Sequence, residues 1–133
     1  MSSRSALALV ISAWVAQVLA FIAFGGTGLV KLFTPIPALA AMWPWTGQLA
    51  PIIVRGLGAI DLAGGLGVLL PSLTRVKPGL TVVAAVCCVV LQICAMVFHI
   101  SRGEAAALPV NVVFLALAAY VAWSRRKLPI RPR

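Results

Sequence analysis

Acidic side chains are almost absent from this sequence: Asp61 and Glu104 are the only two in 133 residues, against eleven Lys and Arg. Charged residues of both signs make up 10%, where water-soluble domains carry about a quarter. A chain so poor in charge cannot clothe a core in polar surface, which excludes a soluble globular fold. Histidine occurs once, at His99, so a bis-histidine haem within one chain is excluded. The three cysteines, Cys87, Cys88 and Cys94, share one apolar run and form no C-x-x-C. On a helix Cys87 and Cys94 stand ~10 Å apart, too far for a disulfide, and a bridge between the neighbours Cys87 and Cys88 would be strained. This argues against a thiol-disulfide oxidoreductase. One histidine and three thiols on a single helix build no metal cluster either. Flavin-binding fingerprints, internal repeats and low-complexity linkers are missing as well.

What remains is mostly apolar: 62% of residues are hydrophobic and the mean hydropathy is +1.10. Four runs stand out, Ala6 to Val30, Ile52 to Leu70, Leu80 to Ile100 and Ala106 to Trp123. Each is close to or above the ~20 residues that cross a bilayer core. Only helices or closed barrels satisfy their backbone in lipid, and continuous apolar runs lack the alternation of a barrel. The expected fold is all-α, a single-domain bundle of four transmembrane helices spanning about 6–33, 51–70, 79–100 and 107–124. "TPIPALAAMWPWTGQLAP" joins the first two, and Trp43 and Trp45 suit a segment lying along the membrane interface. "PSLTRVKP" reads as a tight turn with Pro78 opening the third helix. The tail beyond Lys127 reads as frayed.

The bases set an expected orientation. The end that holds both termini and the Arg75/Lys77 turn carries Arg4, Arg75, Lys77, Arg125, Arg126, Lys127, Arg131 and Arg133. The other end carries Lys31, Arg102 and, one turn inside, Arg55. Eight against three places both termini in the cytoplasm. The first run exceeds the about 7–15 apolar residues of a signal peptide and reads as an uncleaved helix. The expected location is the plasma membrane, as a multi-pass protein of a bacterial inner membrane. The bases are not interleaved with aromatics on one face, so nucleic acid is not an expected partner; the bilayer is.

Asp61 lies ~13 Å above the end of its helix, near mid-bilayer, where a charged aspartate costs ~2.5–3.5 kcal/mol on insertion scales. Gly58, Gly64 and Gly65 fall within ~60° of it, so it faces neighbouring helices across glycine and not lipid. Arg55 is six residues away, about 120° around the helix and ~9 Å along it, a poor partner. Gln17 and Gln92 reach similar depth on the first and third helices. Cys88, Gln92, Ala95 and His99 form one stripe by their 4-3-4 spacing, which should face Asp61. Lys31, Arg55 and His99 lie towards the far end, with Asn111 about a turn below it. The expected site is therefore a polar vestibule with Asp61 as its floor, lined by Lys31, Arg55, Gln92, His99 and Asn111. Each residue also has a structural reading. Asp61 could serve an interhelical hydrogen bond, Lys31 and Arg55 could snorkel to headgroups, and His99 could be an interfacial histidine.

Several segments together resemble the DoxX-like family of small four-helix membrane proteins. They are "GTGLVKLF", "RGLGAIDLAGGLGVLLP", the turn "LTRVKPGLT", His99 and the final "SRR". Members of that family usually carry Glu where this chain has Asp61. The family is named for a membrane part of a thiosulfate:quinone oxidoreductase. The resemblance therefore implies a membrane subunit of a redox-associated system handling a quinone or a sulfur compound, with a redox partner protein and a quinone or small anion as ligand. It does not settle whether the chain is an enzyme. Two other classes stand beside it: a non-catalytic structural or chaperone-like partner, and a small proton-coupled exporter. Such exporters carry their membrane acid in the first helix, where this chain has none.

The charge count makes a direct prediction. A reporter active only in the cytoplasm, fused after Arg133, is expected to work, and one active only outside is expected to stay silent. The reverse pattern would overturn the orientation.

Overall fold

The structure, a computed structural model, describes residues 1–133 and is all-helical. Helix α1 spans Ser3–Phe33, α2 Ile36–Met42, α3 Pro51–Thr74, α4 Leu80–Ser101 and α5 Leu108–Lys127, with 3-10 turns at Pro44–Gly47 and Ala105–Ala107. The segments Ser3–Phe33, Pro51–Thr74, Leu80–Ser101 and Ala105–Lys127 are each long and apolar enough to cross a membrane. The expected bundle of four spanning helices is what the chain forms.

Local chemistry sets the helix limits. Ser2 caps α1 by accepting the Ser5 N–H. Pro51 at the first position of α3, and Pro37 and Pro109 at the second positions of α2 and α5, sit where a missing N–H leaves nothing unpaired. Helix α3 ends where Arg75 turns left-handed (φ 62°), and the turn after α4 uses Gly103 (φ 69°). The second spanning helix does not stop at Leu70, as expected from Pro71, but continues to Thr74. Pro71 deletes one helical N–H. The turn around it is held by Thr74 Oγ1 donating to the Leu70 carbonyl (2.7 Å) and by a buried Ser72–Thr81 hydroxyl pair (2.7 Å) that ties α3 to α4.

Packing is governed by glycine. Helix α3 presents Gly58 and Gly65 to α1, and Gly64 and Gly67 to α4. A Cβ on Gly28 would stand 2.6 Å from the Leu62 backbone nitrogen, and one on Gly65 2.6 Å from that of Gly25. Backbones this close are the mark of small-residue helix contacts in lipid. On the other flank, Gly64 leaves room for the Cys88 sulfur and Gly67 for Ala84. The core then fills with Ala16, Ala20, Phe24, Val68, Ala85, Cys88, Ala118 and Val121. Phe24 meets Phe114 at 5.2 Å between rings, closing α1 on α5. Large apolar residues such as Leu7, Ile22, Val90 and Val97 stay exposed, forming the surface that a bilayer covers.

Both termini lie at the end that holds the α3–α4 turn. The tail beyond Lys127 is not frayed: the Arg133 N–H donates to the Arg75 carbonyl (3.0 Å), and Arg75 Nε donates to the Arg131 carbonyl (3.1 Å). At the other end, the tryptophan-rich connection folds into α2 and its 3-10 turn, with Leu39 and Thr46 buried beneath it.

The glycine seam is testable. Gly28→Ala and Gly65→Ala are expected to lose about 1–3 kcal/mol through overpacking. Gly26→Ala and Gly56→Ala, whose added methyl meets nothing within 4 Å, are expected to be neutral or better. Unfolding in detergent measures the contrast.

Candidate functional site

The site begins at the end of the α1–α3 seam. Gly58 has no side chain, so the Cβ of Lys31 can lie against it; a Cβ on Gly58 would be 2.8 Å from that of Lys31. From there the lysine reaches down one helical turn, and its Nζ stands 2.6 Å from Asp61 Oδ2. The side chains are 17% and 5% exposed, so the pair is largely buried. Lys31 therefore does not snorkel. Its ammonium also lies 5.8 Å and 5.6 Å from the ring centres of Trp43 and Trp45, within the range of cation–π attraction. The connection after α1 thus brings both indoles onto the cation as a roof.

Below that roof is a cavity of about 840 Å³ lined by residues from all four spanning helices. Helix α4 contributes Gln92, Ala95, Phe98 and His99, and α5 contributes Asn111 and Phe114. Three members of the expected α4 stripe thus line it, while Cys88 packs into the core against Gly64. Most of the wall is apolar or aromatic. Two residues that line it, Gln92 and Asn111, each keep one polar atom, Oε1 and Nδ2, buried without a hydrogen-bond partner.

The rim beside α4 is a small polar cluster. His99 Nδ1 is 3.3 Å from Glu104 Oε1, and Arg102 Nε donates to the same oxygen at 2.7 Å. Arg102 also bonds Gln48, tying this rim to the segment before α3. The Arg102 hydrogen bond, opposed by desolvation and aided by His99, holds the Glu104 carboxyl below its ordinary value. Whatever this contact contributes is therefore complete above the ordinary glutamate range and is lost as pH falls through the lowered value. His99 edges onto Trp45 (6.2 Å) and Phe98 (5.3 Å), completing an aromatic collar.

A model of the DoxX-like family matches residues 15–121. The chain belongs to the DoxX-like family. No curated protein and no solved structure matches it. The matched residues include Lys31, Arg55, Asp61, Gln92, His99 and Asn111, and end before Arg125.

In this DoxX-like chain, Lys31, Asp61, Gln92, His99 and Asn111 border one cavity. Arg55 does not, contrary to the expected vestibule. Its Nη1 instead donates to the carbonyls of Lys31 (2.8 Å) and Thr34 (2.6 Å). Those carbonyls have no helical partner at the end of α1, and a cation there also meets the negative end of the helix dipole. Arg55 fixes the helix end from which Lys31 projects. Gln17 does not join the site either; it bonds the Val68 carbonyl and Arg125 at the opposite end of the bundle. Sequence reasoning overlooked Trp43 and Trp45 as lining residues, since as interfacial anchors they already had an explanation. It overlooked Glu104 because nothing in "SRGEAAALP" says where the loop folds. The nearness of Lys31 to "TGL" and of Asp61 to "GLGAI" was the available signal for the ion pair: glycine on both helices.

Removing one partner of a buried pair strands the other. Asp61→Leu is expected to lose about 3 kcal/mol, because the Lys31 ammonium keeps its burial without its anion. The double variant Lys31→Met/Asp61→Leu is expected to recover most of that loss. Additive losses in detergent unfolding would show that the two side chains do not depend on each other.

Proposed function

We propose that this protein is a membrane subunit of a redox-associated system, binding a quinone head in the cavity between its helices. The observation that supports this reading is the combination of one large, mainly apolar cavity with a few polar lining residues: a cation, an acid and two amide side chains that each keep an unpartnered atom. A volume of about 840 Å³ is in the range of ligand sites, which are mostly apolar with a few placed polar groups. The residues fit the group. Trp43, Trp45, Phe98 and Phe114 supply flat apolar faces. The amide side chains of Asn111 and Gln92 border the cavity, and by turning towards it they would offer a donor to a ring carbonyl and an acceptor to the hydroxyl of the reduced form. A bound quinone would supply two-electron, two-proton chemistry. Lys31 and Asp61 would hold charge and protons beside it, as ionisable groups at membrane depth commonly do. Electrons would be exchanged with a partner protein. The setting in this reading is the bacterial inner membrane, with both termini in the cytoplasm.

The alternative, a structural partner with no ligand, draws on Arg55 and Lys31, which also fasten α1 to α3. One titration separates the two. A short-chain quinone added to the purified protein in detergent should quench tryptophan emission saturably, because Trp43 and Trp45 lie on the cavity. Asn111→Leu and Gln92→Leu should each weaken binding about tenfold, the worth of one hydrogen bond of ~1.4 kcal/mol. Unsaturable quenching, or wild-type affinity in both variants, would favour the structural reading.

A further inference from the structure

At the end of the bundle away from the proposed quinone cavity, the last turn of α5 buries a cation. Arg125 is only 5% exposed. Its Nε donates to Gln17 Oε1 at 2.6 Å, and its guanidinium lies 4.5 Å from the centre of the Trp14 ring. Neither neighbour carries charge. A second guanidinium nitrogen, Nη2, is buried and has no hydrogen-bond partner. A buried cation of this kind ordinarily sits against a carboxylate, because desolvation is costly without an opposite charge.

No acidic side chain is available to Arg125. The chain has two, and both are engaged elsewhere: Asp61 with Lys31, and Glu104 with Arg102 and His99. What adjoins Arg125 is a cavity of about 650 Å³ that Arg125 itself lines, together with Lys77 and Arg126. Its lining carries three cations and no acid. The folded-back tail and the α3–α4 turn give it a stiff rim, since Pro78, Pro129 and Pro132 all border it. Ser72 adds a hydroxyl to the wall.

We propose that this cavity is a phosphate-binding site, in which Arg125, Lys77 and Arg126 hold the anionic phosphate that the fold does not supply. Arg125 supplies uncompensated positive charge from the buried wall, and Lys77 and Arg126 donate to the phosphate oxygens from the exposed rim. The phosphate can come from the headgroup of an anionic phospholipid or from free inorganic phosphate. A basic pocket between spanning helices at the level of the membrane surface suits the first source by its position. The site is separate from the quinone cavity and stands or falls independently of it.

The test uses the full chain in neutral detergent, with Lys77→Asn, Arg126→Gln and Arg125→Gln, and Arg4→Gln as a control at the same end. Lys77 and Arg126 are exposed, so their variants should fold even if Arg125→Gln does not. Asn is chosen at Lys77 because the backbone there is left-handed (φ 46°), a conformation Asn tolerates. In the first arm, native mass spectrometry compares retention of phosphatidylglycerol with phosphatidylcholine of the same chains. In the second, thermal unfolding compares inorganic phosphate with sodium chloride at matched ionic strength.

Preferential retention of phosphatidylglycerol, weakened about fivefold by Lys77→Asn or Arg126→Gln and unchanged by Arg4→Gln, identifies a headgroup site. Stabilisation by phosphate beyond chloride, lost in the same variants, identifies a free-phosphate site; both arms positive supports one site serving both sources. The proposal is overturned if neither arm shows a preference. It is overturned equally if Arg4→Gln weakens binding as much as Arg126→Gln, or if the preference survives both exposed substitutions.

Discussion

The close approach of α1 and α3 along their glycines carries the rest of this structure. Where Gly28 and Gly58 remove side chains from the seam, Lys31 can leave one helix and reach Asp61 on the other without crossing lipid. Arg55 braces the same junction from α3, capping the carbonyls at the end of α1. With α1 and α3 held together at that end, the chain that follows α1 must fold back over the pair, and it sets Trp43 and Trp45 against the ammonium. A wider separation of the two helices would leave an acid and a base in hydrocarbon without each other, an arrangement that membranes penalise. The cavity exists because α4 and α5 pack around this fixed pair without filling the space beside it.

Scarcity of acid organises the charge. With two carboxylate side chains in the chain, each serves a single cluster, and both clusters lie towards the roofed end. Asp61 neutralises the one lysine inside the bundle, and Glu104 gathers His99 and Arg102 at the rim. The opposite end has no carboxylate side chain to offer, so its arginines find uncharged partners: Arg75 takes the carbonyl of Arg131, and Arg125 takes Gln17 and the face of Trp14. The two ends of one small bundle therefore differ in kind. One is a paired site with an aromatic roof, and the other is a cationic pocket without an internal counter-ion.

Much of the architecture could be read directly from the residues. The four runs and the scarcity of charge dictated a helical membrane bundle, because no other fold satisfies so much apolar backbone in lipid. The glycines around Asp61 dictated that the acid faces protein, and the spacing of Gln92, Ala95 and His99 put them on one stripe, since a helix repeats its face every three or four residues. These are properties of single helices. Arg55 shows where such reading ended: its position one turn inside α3 was plain, yet an arginine there can face a cavity or a helix end equally well. The local pattern at Pro71 misled in the same way, since a proline breaks a helix in isolation but is carried when Ser72 and Thr81 bind across helices.

What the sequence determined by itself was therefore the set of spanning helices, their polar faces and the excess of positive charge. Which polar groups meet was decided only by tertiary structure. Lys31 with Asp61, Arg55 with the end of α1, Gln17 with Arg125, and the tail with Arg75 all join residues at least 21 positions apart. Such pairings depend on how far two helices approach and how they are rotated. Those distances come from side-chain volumes packed on both sides of a seam at once, and a local pattern on either helix contains only half of that information.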